Sequence, residues 1–235
     1  MPVPLTISDF KMFRAVCEPR YSDAYLIYDR TGEVVHEVQK FFNDVRVLSA
    51  TPNQTAMQSD QGALALELGQ CRLTSDKPDS NLETFARHCK QYFDIVSDCF
   101  DIKVFTRIGL RLLFRKTTTS LDESKAALNS LNLLNRKPVR RFGAAEHPEE
   151  FIFRWEGSQI GAMLRVKAET SKIDIILPPE LAETGSDIHK SINGLVLDVD
   201  YYTVAPVERA QWDATAWVPQ SMRTIKREID SILEG

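Results

Sequence analysis

The sequence has little of what catalytic and metal-binding chains usually display. Its four histidines (His36, His88, His147 and His189) are far apart, and its four cysteines (Cys17, Cys71, Cys89 and Cys99) include no C-x-x-C pair. Zinc and redox motifs need that clustering, so neither they nor any cofactor is expected. His88-Cys89 is the nearest thing to a ligand pair, but Cys89 belongs to an apolar stripe and reads as packing. No G-x-S-x-G, Walker A, G-x-G-x-x-G or H-E-x-x-H occurs, which removes the nucleophile elbow, the phosphate loop, the dinucleotide fold and the zinc-protease helix. No apolar run approaches the roughly 18 residues of a membrane-spanning helix. Met1-Pro2-Val3-Pro4-Leu5-Thr6 has neither the basic nor the apolar region of a signal peptide. A cytoplasmic protein with reduced, packed thiols and no membrane contact is the expectation.

Charge of one sign is also lacking. Lys and Arg number 29 against 33 Asp and Glu, a net of −4, so the chain-wide basic field of a nucleic-acid binder is missing. Composition is otherwise that of a globular domain, with 43% hydrophobic and 26% charged residues, which leaves little room for long disorder. At 235 residues the chain fits one large domain. It divides loosely into N-terminal strands and a helix over about 1–116 and a C-terminal meander with a closing helix over about 150–235. No internal repeat is visible.

The periodicities spell an α+β protein. Ala24–Tyr28 is aromatic and β-branched and stops at a turn, Asp29–Gly32, so it reads as a strand. Glu33–Asn43 has the spacing of a short amphipathic helix, Val45–Ala50 reads as a strand, and Ser59–Gly62 as a hairpin turn into Ala63–Leu68. Ser80 and Glu83 form a capping box ahead of the stripe Leu82, Phe85, Cys89, Phe93, Val96, Phe100, which predicts a helix over 81–99. Residues 102–116 are the strongest strand. A second helix is expected from Leu121, capped by Ser120, then strands Phe151–Trp155, Ile160–Ala168 and Lys172–Leu177 with a turn at Glu169-Thr170-Ser171. A polar loop after Pro178-Pro179 and a strand Leu195–Thr203 precede a closing helix that Pro219 starts. The short connections favour a curved, largely antiparallel sheet, with barrel-like closure as the limit of its curvature, packed with about three amphipathic helices.

One face of this sheet carries the chemistry. Alternation points Lys103, Arg107, Arg111 and Arg115 one way, with Arg154, Arg165 and Lys167 on neighbouring strands and Asp198 and Asp200 on the last. Two readings of it stand side by side. It is either the solvated face of a sheet laced by ion pairs, or a basin in which Arg107, Arg111, Arg165 and Lys167 hold phosphates while Asp198 and Asp200 hold a divalent ion. Gly109 amid the arginines marks a bend or a close backbone approach. The loop Arg136–Arg141, with Arg136, Arg140 and Arg141, is a second basic feature, for nucleic acid or an acidic partner. Trp212 and Trp217 either anchor the last helix or mark a partner surface.

The strand Phe105-Thr106-Arg107-Ile108-Gly109-Leu110-Arg111, with Leu197-Asp198-Val199-Asp200 and a closing helix after it, resembles a bacterial family described only as sporadically distributed proteins of about this length. The chain departs from that family at Lys226, where the family often has His, and at Leu112-Leu113-Phe114, where it usually has Tyr-Ile-Asn. The resemblance implies no activity; the patchy distribution implies an accessory role in bacterial defence. With no catalytic signature, the leading expectation is a non-catalytic interaction or regulatory subunit with a protein partner. The alternatives are binding or hydrolysis of a nucleotide or polyphosphate on the arginine face, and nucleic-acid binding through the basic loop.

Overall fold

A computed structural model of the chain describes residues 5–131, 133, 140–141, 144–145, 149–175 and 188–234. In chain order it contains β1 (Lys11–Arg20), α1 (Ile27–Phe41), β2 (Arg46–Thr51), β3 (Gln54–Ser59), β4 (Gly62–Glu67), β5 (Gln70–Ser75), α2 (Glu83–Phe100), β6 (Val104–Phe105) and β7 (Arg107–Thr118). Then follow α3 (Leu121–Ser130), the two-residue strands β8 (Arg140–Arg141) and β9 (Ala144–Ala145), β10 (Glu150–Glu156), β11 (Ile160–Ile175), β12 (Ile188–Thr203), β13 (Val207–Glu208) and α4 (Ala214–Glu234). Nine strands form one curved antiparallel sheet in the order β10-β11-β12-β7-β1-β5-β4-β3-β2. Among the described residues it stays open and does not close into a barrel.

The order of elements contains the repeat that the residues hide. A strand, a helix, a meander and a long helix occur first as β1, α1, β2–β5 and α2, and again as β7, α3, β10–β12 and α4. In each half the opening strand pairs with the last strand of its own meander, β1 with β5 and β7 with β12. The two opening strands then pair with each other, from Lys11 opposite Arg115 to Arg20 opposite Arg107. Reading outward from that seam, each half runs from its opening strand back through its meander in reverse order, four meander strands in the first half and three in the second.

Alternation assigns the two faces. Ala15 and Cys17 on β1, Leu64 and Leu66 on β4, Leu73 on β5, and Ile108, Leu110, Leu112 and Phe114 on β7 are buried on the helix side. There they join the stripes of the helices in a single core: Phe85, Cys89, Tyr92, Phe93 and Val96 of α2, Val218, Met222, Ile225 and Ile229 of α4, Val34 and Val38 of α1, and Leu128 of α3. The buried Tyr92 satisfies its hydroxyl by donating to the Ala65 carbonyl at 2.8 Å, as a core tyrosine must. All four cysteines are free and buried. No described helix is long and apolar enough to cross a membrane.

Several local expectations give way to packing. Ala24–Tyr28 is not a strand but a turn at Tyr25-Leu26 running into the first residues of α1, because the buried positions run Ala24, Ile27, Val34, Val38 at helical spacing while Tyr25 and Tyr28 stack on each other in solvent. The cap of α2 is Asp79, whose carboxylate accepts from the Thr84 and Phe85 amides at 3.1 and 3.2 Å, and not Ser80. Its chain reaches the helix through a left-handed Leu82, which carries Ser80 past the capping position. The α3 cap is as expected, Ser120 Oγ accepting from the Glu123 amide at 3.1 Å. Glu169-Thr170-Ser171 is not a turn, since β11 runs through it paired with Ile192–Gly194 of β12, and Thr170 donates to Asn193 Oδ1 at 2.7 Å. Pro219 lies inside α4 rather than at its start, which Asp213 caps by accepting from the Thr215 amide at 2.9 Å. Burial of Ala214 and Val218 pulls that extra turn onto the core and outweighs the backbone bond that the proline removes from Thr215. The polar loop expected after Pro178 lies outside the described residues.

The two capping assignments differ in consequence. Asp79→Ala is expected to lower stability by about 1–2 kcal/mol through loss of the cap, whereas Ser80→Ala stays within about 0.5 kcal/mol of the parent. Urea denaturation of both variants distinguishes them.

Candidate functional site

The face of the sheet opposite the helices holds a depression of about 390 Å³ at the seam between the halves. Five arginines line it: Arg14 and Arg20 from β1, Arg72 from β5, and Arg107 and Arg111 from β7. Two carboxylates, Glu18 and Asp200, stand among them, over a floor of Val16, Gly109 and Leu113. The register explains the convergence. Val16 lies opposite Arg111, Glu18 opposite Gly109 and Arg20 opposite Arg107, while Asp200 lies opposite Arg111 on the other side of β7.

Arg107 is held by a carboxylate and an aromatic ring. Its Nη2 donates to Asp200 Oδ2 at 2.7 Å, and its guanidinium lies 4.3 Å from the centre of the Tyr202 ring, a cation–π distance. Two glycines make room for this stack. A Cβ on Gly109 would stand 3.3 Å from Arg107 Nη1, and one on Gly161 would stand 2.5 Å from the Tyr202 ring. Gly109 and Gly161 are the cross-strand neighbours of Tyr202 on its two sides. The arginine thus folds back over one bare backbone and the tyrosine over the other.

Arg111 makes a bidentate pair with Asp198, Nε to Oδ1 at 2.7 Å and Nη2 to Oδ2 at 2.6 Å. The carboxylate is only 4% exposed while the guanidinium is 49% exposed, so Arg111 is anchored from below and presents its outer edge to solvent. Arg72 is held differently. Its nearest carboxylates, Glu18 and Glu67, stand at 3.6 and 3.8 Å, too far for a hydrogen bond. Its donors are unspent among the described residues.

Arg165 and Lys167, expected in the same site, share the face but sit on β11, beyond β12, and do not line the depression. Arg165 Nε stands 2.8 Å from Glu150 Oε1 and Lys167 Nζ 2.6 Å from Glu169 Oε2. Arg115, at the far end of β7, donates from Nη2 to Glu169 at 2.8 Å and to Ser171 at 2.7 Å. Burial alone would raise the Glu169 carboxyl, but Lys167, Arg115 and Ser171 together hold it below its ordinary value. Asp198 and Asp200, the expected ligands of a divalent ion, are instead committed to Arg111 and Arg107. No group of three or more His, Cys, Asp or Glu side chains gathers as a metal site among the described residues.

The residues that sequence reasoning missed are Arg14, Glu18, Arg20 and Arg72. They lie on β1 and β5, strands with too few large apolar residues to announce themselves. Trp212 and Trp217 pack into the helix side. Their rings stand 6.3 Å apart, Trp212 is 5.4 Å from Phe105 and 5.9 Å from Phe93, and Trp217 is 6.2 Å from Tyr201. That geometry anchors the start of α4. Arg136 lies outside the described residues, as do the side chains of Arg140 and Arg141, whose backbone pairs with Ala145 and Ala144.

No family model and no curated protein matches the chain. Among solved structures, the di-domain ARO/CYC StfQ from the steffimycin biosynthetic pathway aligns over 95% of each chain at 11% identity, with a TM-score of 0.17. A likeness of that size carries no argument.

Two outcomes test the architecture of the face. Gly109→Val forces Arg107 off Asp200 and Tyr202 and is expected to cost about 1–3 kcal/mol, read by urea denaturation, with Gly109→Ala costing less. Glu169→Gln is expected to lower stability by about 1 kcal/mol at pH 7. Because the folded carboxyl titrates below its unfolded value of about 4.5, its contribution is present above that pH and is lost as pH falls through the folded value. The two proteins' melting temperatures therefore converge in acid.

Proposed function

We infer that the depression at the seam is a binding site for a compact phosphate-bearing ligand such as a pyrophosphate or nucleotide, and that the protein acts as a ligand-binding module. The observation that supports this most is the convergence of five arginines from both halves of the sheet on one depression lined by two carboxylates, with Arg14 and Arg111 held from beside it by Asp76 and Asp198, in a chain whose net charge is −4. Guanidinium groups recognise phosphate through paired, directional N–H donors. Arg72 and the outer edge of Arg111 have donors available, and Arg107 is prepositioned by Asp200 and Tyr202. A volume of about 390 Å³ falls in the range of small-ligand pockets. The apolar floor of Val16 and Leu113 offers a surface for the uncharged part of such a ligand.

A second reading, a subunit that docks a protein partner, draws on exposed apolar side chains elsewhere. Val47 and Leu48 stand out on the edge strand β2, and Tyr25, Tyr28 and Phe41 on α1 and the turn before it. An accessory role in bacterial defence, which the resemblance of the Arg107–Arg111 strand suggests, is compatible with either reading.

Calorimetric titration of the purified protein with pyrophosphate tests the site. Arg72→Ala removes donors without breaking a hydrogen bond of the fold and is expected to weaken binding at least about tenfold, a loss of about 1.4 kcal/mol. Arg165→Ala, on the same face but outside the depression, is expected to leave affinity within about twofold. Equal losses in both variants, or none in either, would refute the site.

A further inference from the structure

The carboxylate of Glu18 has more positive partners than it needs. It faces the depression from β1, its side chain 16% exposed, with Arg20 Nη2 at 2.8 Å, Arg72 Nη1 at 3.6 Å and Arg107 Nη1 at 4.0 Å. Arg20 also donates to it from Nε at 2.9 Å. The register makes the crowding unavoidable, because Arg20 and Arg107 are directly opposite across the seam. Like charges in that position repel. Glu18 offsets the repulsion among three guanidiniums with a single negative charge.

The three arginines are not equally dependent on it. Arg107 has its own anchor in Asp200. Arg72 hangs between Glu18 and Glu67, in hydrogen-bond contact with neither. Among the described residues Arg20 is bound to Glu18 alone. The arrangement is a cationic cradle whose centre is filled by a short side chain belonging to the protein.

Resting on the phosphate reading of this depression, we propose that Glu18 is a resident counter-anion: its carboxylate occupies the place of the ligand's anionic group, and the ligand binds by exchanging for it at Arg20, Arg72 and Arg107. The exchange sets selectivity. A singly charged anion offers these guanidiniums no more charge than Glu18 already supplies, and it adds the cost of ordering a free solute. A phosphate group carrying two or more charges has a larger Coulombic attraction to the same three arginines at the same distance, and more oxygens for their donors. The class selected is therefore the multiply charged phosphates, pyrophosphate and nucleoside di- and triphosphates, over acetate, chloride and other monoanions. The displaced Glu18 turns toward solvent at the mouth of the depression.

Titration with pyrophosphate, orthophosphate and acetate tests the exchange, on the full chain and on Glu18→Gln, which keeps the shape and removes the charge. The expected result is a gain of at least about tenfold in pyrophosphate affinity in Glu18→Gln, with orthophosphate and acetate also binding more tightly because the carboxylate no longer competes. Glu67→Gln, which removes the other carboxylate near Arg72 from outside the cradle, is expected to change affinity by less than about twofold. Should Glu18→Gln not fold, Glu18→Asp withdraws the carboxylate by one methylene and is expected to give an intermediate gain. Unchanged or weaker pyrophosphate binding in the folded variant, with the parent binding and Arg72→Ala losing affinity, overturns the exchange and leaves the site standing. Absence of binding in parent and variant alike overturns both.

Discussion

The ladder between β1 and β7 is the contact on which the two halves of the molecule depend. Each half builds its own meander and folds its own long helix over it, but among the described residues only this strand pair joins the half-sheets edge to edge. Above the ladder α2 lies against α4, so the seam is sealed on that side by core. Ala15, Cys17, Leu110 and Leu112 are fully buried there. Because side chains alternate along a strand, the same ladder turns its intervening residues the other way. Arg14, Glu18 and Arg20 are thereby set beside Arg107 and Arg111, so the packing that joins the halves also assembles the charged depression.

Such an arrangement has a cost that other residues meet. The bare backbones of Gly109 and Gly161 let Arg107 and Tyr202 lie flat along the sheet, although glycine in a strand gives up side-chain packing. Asp198 is nearly buried beneath Arg111. A pair buried on one side only adds little net stability, yet loss of Arg111 leaves a nearly buried carboxylate unpaired, which is costly. The pair is better understood as fixing where Arg111 points. The Arg-Ile-Gly-Leu-Arg strand therefore has a physical reading: two arginines face one way at a spacing of four, and the glycine between them is the seat of the first.

How much of this was visible in the sequence depended on how loudly each strand spoke. β7 alternates large branched residues with arginines, and its faces were legible, as were the arginines and aspartates it shares with β12. β1 was silent because its buried positions are Ala15, Cys17 and Pro19, small residues without strand propensity, and with it went Glu18 and the first-half arginines. β5 was lost for similar reasons, its inward side being only Cys71 and Leu73. Pattern placed Arg165 and Lys167 on the correct face but could not say that β12 intervenes, because strand order is set by pairing between distant segments. The capping error at Ser80 and the turn wrongly placed at Glu169 came from local chemistry that tertiary pairing overrode. The duplication was invisible because it lives in the order of elements and in the seam pairing.

The carboxylates of the face limit what can lie on it. A long polyanion crossing the sheet from β5 to β10 would pass over Glu18 and Asp200, then over Glu169, Glu150 and Glu156 on the outer strands of the second half. Each phosphate laid there would meet a fixed negative charge within a Debye length of about 8–10 Å. Counterion release, the main source of affinity for nucleic-acid backbones, needs cations free to neutralise phosphates, and Arg111, Arg115, Arg165 and Lys167 are already paired with carboxylates. Unspent donors gather in the depression between β5 and β12, where Arg72 and the rim of Arg111 stand on either side of the seam. The face is therefore shaped for a compact anion held at one point, and the carboxylates around it confine that anion to the place where the two halves meet.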